Sequence, residues 1–185
     1  MTIDEAVRVL RSGGVVGLPT DTVYGLAALP TAARAVERLY DLKGRPENKP
    51  IALLVPSVEA AAMLVELGGE AEELARAHWP GALTLVLATA VPLAEWVGDR
   101  GLTVGVRMPD SDVALALLRR TGPLAVTSAN LSGLPPALDD GEARAMFGDL
   151  VDGYLEGECP GGTASTVVDA TDGKPVVIRR GPVEL

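Results

Sequence analysis

The sequence predicts an α/β fold built on a mixed, partly parallel twisted sheet, and three observations predict this class. Short apolar segments of strand length alternate along the chain with longer segments in which apolar residues recur at helical spacing. Glycine and proline mark the boundaries between them, as at Gly13 and Gly14. The 185 residues are 48% apolar, enough for a core without disulfide or metal support, and no repeat or Ser/Gly linker divides them. We therefore predict a single domain over residues 1–185.

The helices are predicted from capping residues followed by apolar residues at helical spacing. The first opens on Asp4 and stops before Gly13, and the second is capped by Thr31. Ser57 opens the third. The predicted helices are 4–11, Thr31 to about Leu42, Ser57 to about Leu67, Glu70–His78, Asp110 or Ser111 to Arg120, and one near 140–147.

The strands are predicted from short apolar runs that are bounded by turn residues and rich in valine, leucine and isoleucine. They alternate with the helices over the first two thirds of the chain, which is why a partly parallel sheet is expected. The predicted strands are Val15–Leu18, Ile51–Val55, Leu83–Ala88, Thr103–Arg107, Leu124–Thr127, 151–155, 165–169 and 176–179.

Charge and cysteine content limit the class of protein. The chain has 16 Lys and Arg against 25 Asp and Glu, which gives a formal net charge of −9. This charge argues against a protein whose whole surface binds nucleic acid. The single cysteine, Cys159, excludes an internal disulfide framework and a cysteine-cluster zinc site. Asp4 and Glu5 stand where a secretory signal would be basic, and no apolar run reaches the ~20 residues of a membrane span. We expect a soluble, cytoplasmic protein without membrane contact.

Polar side chains follow several of the predicted strands at the point where each strand ends. In open α/β sheets, ligands bind in the crevice beyond the carboxyl ends of the strands. These positions therefore predict a shared polar crevice, although each residue taken alone could simply terminate a strand or form a turn. The residues concerned are Thr20, Asp21, Thr22, Arg107, Ser128, Asn130 and Arg179.

A cationic loop follows the second predicted helix. Lys43, Arg45 and Lys49 lie within seven residues of one another, in a segment that contains Gly44 and Pro46 and cannot prolong the helix. Three neighbouring cations are tolerated when they are solvated or when they face an anion. Charge alone favours the solvated loop, whereas a polyphosphate is the natural anion for such a set.

Several common chemistries are excluded or disfavoured by the residues. The chain has neither the phosphate loop GxxxxGK[ST] nor a GxGxxG string after a strand. His78 is the only histidine, and Cys159 lies in an acidic, Gly/Pro-rich stretch without a neighbouring base. An enzyme with these residues would work by positioning and electrostatics rather than through a covalent nucleophile.

The ordered set of motifs closely resembles the YrdC/TsaC family, in its short, single-domain bacterial type. The resemblance runs from about residue 5 to residue 183 and rests on blocks that keep one order along the chain. The blocks are GGVVGLPTDTVYGL at 13–26, KGRPENKP at 43–50, WPGALT at 79–84, VRMP at 106–109, SANLSG at 128–133, STVV at 165–168 and RRGP at 179–182.

The resemblance implies a YrdC-like twisted mixed sheet, flanked by helices around a large concave cavity. It also implies L-threonylcarbamoyl-adenylate synthase activity, in which L-threonine, bicarbonate and ATP with Mg²⁺ give threonylcarbamoyl-AMP and pyrophosphate. No metal site of the protein's own is expected. The product would pass to downstream proteins that modify tRNA, and the family is also compatible with a weak contact to tRNA itself.

The resemblance also implies a role for each matching residue. Lys43 and Arg45 would be catalytic. The residues expected on ATP are Lys43, Arg45, Lys49, Ser128, Asn130 and Arg179. Those expected on threonine are Thr20, Thr22, Arg107 and Ser165.

Two other functions stay open from the sequence. One is an RNA-binding module that uses a basic cavity, which the acidic total and the small aromatic content of 2 Trp, 3 Tyr and 1 Phe weigh against. The other is a relative that handles carbamoyl phosphate instead of threonine.

Overall fold

The computed structural model describes residues 1–44, 50–93, 97 and 102–185. Arg45 and Lys49, both predicted to bind phosphate, lie outside the described residues. Within those ranges the chain forms six α-helices, numbered α1 to α6, and a 3₁₀ turn at Gly148–Leu150. The helices are Ile3–Arg11, Ala33–Lys43, Val58–Ala62, Gly69–His78, Asp112–Thr121 and Asp140–Phe147.

The strands of the described ranges, β1 to β9, form one mixed sheet with the order β7-β1-β2-β6-β3-β5-β4-β8-β9. The pairs β1/β7, β3/β5 and β4/β8 are parallel, and the other neighbours are antiparallel. The predicted mixed, partly parallel sheet is confirmed. The strands are Val16–Leu18, Gly25–Ala28, Ala52–Leu54, Leu83–Ala88, Thr103–Arg107, Leu124–Ser128, Gly153–Tyr154, Thr166–Asp169 and Val176–Arg179.

Side-chain caps decide where several helices begin. The Ser111 hydroxyl accepts the Ala114 N–H at the start of α5, as predicted. Two other predicted caps were wrong. Thr2, rather than Asp4, caps α1 through a capping box with Glu5, and Thr31 is not the N-cap of α2, since that position is Ala32, which makes no side-chain cap bond.

The third helix is much shorter than predicted. Ser57 caps it, but the helix ends at Ala62 instead of continuing to about Leu67. The residues that follow pair with the extension of β4, because Glu66 N–H donates to the Ala88 carbonyl and Ala90 N–H donates to the Leu64 carbonyl, both at 2.9 Å. These backbone groups are therefore unavailable for further helical turns.

The strand β2 was not predicted from the sequence. Its four residues, Gly25–Ala28, have the sequence GLAA and include none of the β-branched and aromatic residues that are typical of strands. It forms because it completes the sheet between β1 and β6, and all four of its residues are buried.

Two apolar clusters cover the two faces of the sheet. The larger contains residues of α2, α3, α4 and α6 together with inward residues of most strands. The smaller joins α1 and α5 to β1 and includes Leu54 of β3. Because Leu54 also lines a cavity, that cavity lies on the part of the second face that α1 and α5 leave uncovered. No helix among the described residues is long and apolar enough to cross a bilayer.

Candidate active site

A cavity of about 420 Å³ lies on this open part of the sheet. Its floor consists of alternate residues of the central strands, which point to one face as the strand geometry requires. Three floor residues, Gly25, Ala52 and Gly105, are small, which makes the cavity deep. A Cβ added at Gly105 would lie 3.1 Å from Thr84 Cγ2 and 3.5 Å from Ala52 Cβ. The floor is therefore filled to contact at this point, and any larger side chain would extend into the cavity.

The structure brings most of the described candidate residues together around this cavity. Six line it directly, and Lys43 and Asn130 are bonded to one of those six. The lining candidates are Thr20, Thr22, Arg107, Ser128, Ser165 and Arg179.

The reason for their proximity differs from the prediction. Leu54, at the end of β3, pairs with Arg107 at the end of β5 and with Leu124 at the start of β6. Ser128, at the end of β6, lies at the opposite end of the antiparallel β3/β6 pair, beyond the paired residues Ala52 and Val126. The carboxyl ends of β5 and β6 are therefore at opposite ends of the sheet. The candidates lie across its concave face rather than in one crevice at one edge, because the sheet is mixed and the loop after β1 reaches over to Arg107.

Lys43, the last residue of α2, is buried with 4% exposure. Its ammonium group lies 2.6 Å from Asn130 Oδ1 and 3.2 Å from Ser128 Oγ, and it donates to the backbone carbonyls of Ser128 at 2.5 Å and Asn130 at 3.0 Å. The Asn130 amide nitrogen donates to the carbonyls of Leu131 and Leu134, which fixes the orientation of its oxygen toward the lysine. We call Lys43, Ser128 and Asn130 the lysine cluster. It holds a positive charge beside the cavity at the end of β6.

Arg107 is held by three partners from two segments, the loop after β1 and the turn before β4. Its Nη1 donates to Thr22 Oγ1 at 2.7 Å, its Nε donates to the Gly81 carbonyl at 2.9 Å, and its Nη2 forms an ion pair with Asp21. Burial lowers the pKa of Arg107, and the carboxylate of Asp21 acts in the opposite direction. The plane of the guanidinium is therefore fixed at the end of β5, where Arg107 lines the cavity.

The hydroxyl groups of Thr20 and Thr22 have a defined direction. The Thr20 hydroxyl donates to the Val23 carbonyl at 2.7 Å, so its single proton is committed there. The Thr22 hydroxyl, 3.0 Å from that of Thr20, must then donate to it, while it accepts from Arg107. Thr22 thus presents an oxygen lone pair and no proton to any ligand that approaches it.

Ser165 and Arg179 form a third polar group at the cavity wall. Arg179 donates through Nε and Nη2 to the Ser165 carbonyl, at 3.1 and 2.8 Å, and its Nη2 lies 3.2 Å from Ser165 Oγ. The Ser165 hydroxyl is also 2.7 Å from that of Thr84. Thr84, the second residue of β4, therefore helps to set the position of the Ser165 hydroxyl, which directly precedes β8.

Comparison with known proteins relates nearly the whole chain to one family. The family model Sua5/YciO/YrdC, described as "Telomere recombination", matches residues 8–181. The chain belongs to the Sua5/YciO/YrdC family.

Several members of the Sua5/YciO/YrdC family are similar over nearly the whole chain. A Mycobacterium tuberculosis protein with threonylcarbamoyl-AMP synthase in its name is 45% identical, over 98% of this chain and 84% of its own. The threonylcarbamoyl-AMP synthase of Pyrococcus abyssi is 39% identical over 97% of this chain, which spans 54% of that relative's length. The crystal structure of P. abyssi Sua5 complexed with L-threonine is similar with a TM-score of 0.91 and 38% identity, over 97% of this chain and 54% of that one.

Two residues of this Sua5/YciO/YrdC site had been assigned to neither substrate from the sequence. Asp21 stood in the motif but was not assigned a role, and Thr84 belonged to the WPGALT block alone. Asp21 could have been found because it lies between the two candidate threonines. Thr84 gave a weaker signal, a hydroxyl at a position that alternates with buried leucines.

Cys159 lies behind the loop that carries the threonines. It is 4% exposed, its Sγ accepts the Thr20 N–H at 3.3 Å, and burial raises the pKa of its thiol to about 11. The unfolded thiol ionises near pH 8.5. The unfolded state then binds fewer protons than the folded state, so the contribution of Cys159 to stability is present below pH ~8.5 and is lost as the pH rises toward about 11.

We therefore expect the free energy of unfolding to fall more steeply with alkaline pH in the wild-type chain than in Cys159→Ala. Urea unfolding of both proteins between pH 8 and 10.5 measures this difference. Tyr24 and Tyr154, whose pKa values burial also raises, are present in both proteins, so the difference between the two profiles reports the thiol, including its effect on the pKa of Tyr24. If the two stability profiles were parallel, the Cys159 thiol would have the same pKa in the folded and unfolded states.

Proposed function

We propose that the chain is a threonylcarbamoyl-AMP synthase, which forms threonylcarbamoyl-AMP and pyrophosphate from L-threonine, bicarbonate and ATP. The names of the similar relatives support this activity. So does the solved relative that holds L-threonine, at 38% identity. The product would serve the threonylcarbamoyladenosine modification of tRNA through downstream proteins, and we propose the cytoplasm as its location.

The single observation that carries the proposal is the convergence of cations and hydroxyls on one cavity. The lysine cluster lies at one end of β6, and Arg107 and Arg179 line the same cavity together with Thr22 and Ser165. The triphosphate of ATP and the carbamate formed from the amino acid are both anions, and they must come together for the reaction. Positive groups on either side of the cavity would offset their repulsion.

We assign the residues to the substrates as the family resemblance implies. Lys43 and Arg45 would stabilise charge on the triphosphate during the reaction. The residues proposed on ATP are Lys43, Arg45, Lys49, Ser128, Asn130 and Arg179. Those proposed on threonine are Thr20, Thr22, Arg107 and Ser165.

The reaction needs no covalent link to the protein. The neutral amine of threonine captures CO₂ derived from bicarbonate as a carbamate, and a carbamate oxygen attacks the α-phosphorus while pyrophosphate departs. The lysine cluster would hold the phosphates, and Arg107 would orient the carboxylate or carbamate of the amino acid. The depth of the cavity would also keep water from the labile carbamate.

Mg²⁺ would arrive on the phosphates of ATP. Among the described residues no group of three or more His, Cys, Asp or Glu side chains is placed to hold a metal ion. The described residues that line the cavity supply hydroxyls and guanidinium groups but no carboxylate, whereas proteins usually hold Mg²⁺ through one or two carboxylates together with substrate phosphates. We therefore assign the ion to the nucleotide and no step to a metal site of the protein.

The experiment is detection of threonylcarbamoyl-AMP by mass spectrometry after incubation with ATP, Mg²⁺, L-threonine and ¹³C-bicarbonate. We expect a product one mass unit heavier than with ordinary bicarbonate, and no product when threonine or ATP is omitted. Supplying carbamoyl phosphate in place of threonine and bicarbonate tests whether the chain is a relative that handles carbamoyl phosphate. The absence of product from folded protein that instead binds tRNA in a strongly salt-dependent manner would favour the RNA-binding module.

A further inference from the structure

Asp21 forms an ion pair with Arg107, which lines the cavity, and its charge is largely shielded from solvent. Its side chain is 14% exposed, and that of its partner Arg107 is 7% exposed. The same carboxylate oxygen that pairs with Arg107 Nη2 also accepts the Asp110 N–H at 3.1 Å. Asp21 therefore ties the loop after β1 to the turn between β5 and α5.

The other two partners of Arg107 are neutral. Thr22 Oγ1 and the Gly81 carbonyl each accept one N–H and supply no charge. Asp21 is thus the group that both compensates the buried guanidinium and sets the rotation of its plane. A charge-assisted bond of this kind is shorter and about twice as strong as a neutral one.

The position of the loop that carries Asp21 is itself determined by packing. A Cβ added at Gly161 would overlap the Asp21 carbonyl, so the 157–162 segment lies directly against this loop. Gly157 is similarly close to Pro19, since an added Cβ would lie 3.0 Å from its Cγ. The backbone of this loop is therefore packed from the side of the 157–162 segment, and the Asp21 carboxylate links it to Arg107.

Asp21 is separate from the groups that face the nucleotide in the proposed assignment. The lysine cluster is held by Ser128 and Asn130, and Arg179 is bonded to Ser165. Within the part of the chain that the structure describes, the Asp21 carboxylate accepts hydrogen bonds from Arg107 Nη2 and from the Asp110 N–H. A change at Asp21 is therefore transmitted to the cavity through Arg107.

We propose that Asp21 is a positioning residue that orients and neutralises Arg107, and that it thereby sets the affinity of the cavity for the amino-acid substrate and not for ATP. This inference rests on the proposed function. In this proposal the Asp21–Arg107 pair positions the carboxylate or carbamate of the amino-acid substrate relative to the phosphates of ATP.

The test compares Asp21→Asn and Asp21→Glu with the wild-type chain and with Asp172→Asn, a change at an exposed aspartate. Asparagine keeps an oxygen for the Asp110 N–H but removes the charge, and glutamate restores the charge on a longer stem. The measurements are KM for L-threonine and for ATP in pyrophosphate release, with L-threonine binding by calorimetry and the thermal unfolding midpoint.

We expect Asp21→Asn to raise KM for threonine by about 10- to 100-fold, the effect of losing one charge-assisted bond, while KM for ATP changes less than about twofold. Asp21→Glu should recover part of the threonine affinity, and Asp172→Asn should match the wild type. Equal changes in both KM values, or a lower unfolding midpoint with unchanged threonine binding, would overturn the inference. A wild-type chain without threonine-dependent release would instead overturn the proposed function, and with it the amino-acid assignment.

Discussion

Replacing Lys43 with methionine is expected to reduce threonine-dependent pyrophosphate release by about 100- to 1000-fold, the effect of removing one preorganised charge from an active site. Methionine keeps the length of the buried side chain and removes its charge. A phosphate oxygen would then meet the oxygens of Ser128 and Asn130 without the cation that lies between them. Initial rates at saturating and limiting ATP measure the loss.

The matched control for this change is Lys174→Met, because Lys174 is exposed and lies in the turn between β8 and β9. It should retain wild-type rates. The Lys43 variant also leaves buried acceptors without a partner, which costs about 1–3 kcal/mol of stability. Rates are therefore compared at a temperature where circular dichroism shows both variants folded. If folded Lys43→Met released pyrophosphate at a near-normal rate, Lys43 would not be a catalytic residue.

Gly105→Val is expected to abolish activity by a different route, through the shape of the cavity. The valine side chain would stand on the floor between Ala52 and Val86, where only a hydrogen now projects. Displacing a bound substrate by about 1 Å can reduce a rate by about 100-fold. A β-branched residue suits a strand, so we expect the fold to persist while product formation falls at least to that extent.

The control for the filled cavity is Gly68→Val, because an added Cβ at Gly68 meets nothing within 4 Å and its backbone is extended. It should lower stability slightly at the start of α4 and leave the specific activity unchanged. Binding of ATP and of threonine to Gly105→Val is measured by calorimetry. Wild-type affinity for both substrates would show that they lie elsewhere than on this floor.

Most elements of the fold were predictable because their signals are local. Leu83–Ala88 and Thr103–Arg107 were predicted with the limits that the structure has, and the alternation of strands with helices predicted a mixed sheet. The errors occur where tertiary pairing overrides local preference. Gly25–Ala28 has little strand propensity but fills a gap in the sheet, and the residues after Ala62 pair with β4 instead of extending a helix. The single domain over 1–185 stays a prediction.

The candidate site was predictable in its residue types but not in its arrangement. Polar residues after apolar runs pointed to Thr22, Arg107 and Ser128, and the structure places all three around one cavity. Spacing along the chain could not show that β5 and β6 run in opposite directions, nor that Asp21 is the partner of Arg107. Ion pairs between segments 86 residues apart depend on the final packing. The roles of the individual residues stay predictions.

The chain of hydroxyl bonds from Thr22 through Thr20 to Val23 makes one spot in the hollow chemically selective. A ketone or ester oxygen placed beside Thr22 would meet a lone pair and be repelled, whereas an N–H or O–H would gain a bond. Analogues that exchange an amine or alcohol for a carbonyl at that point should be rejected even when their size and shape are unchanged. Discrimination of this kind comes from the direction in which two protons point, and it costs the protein no additional side chain.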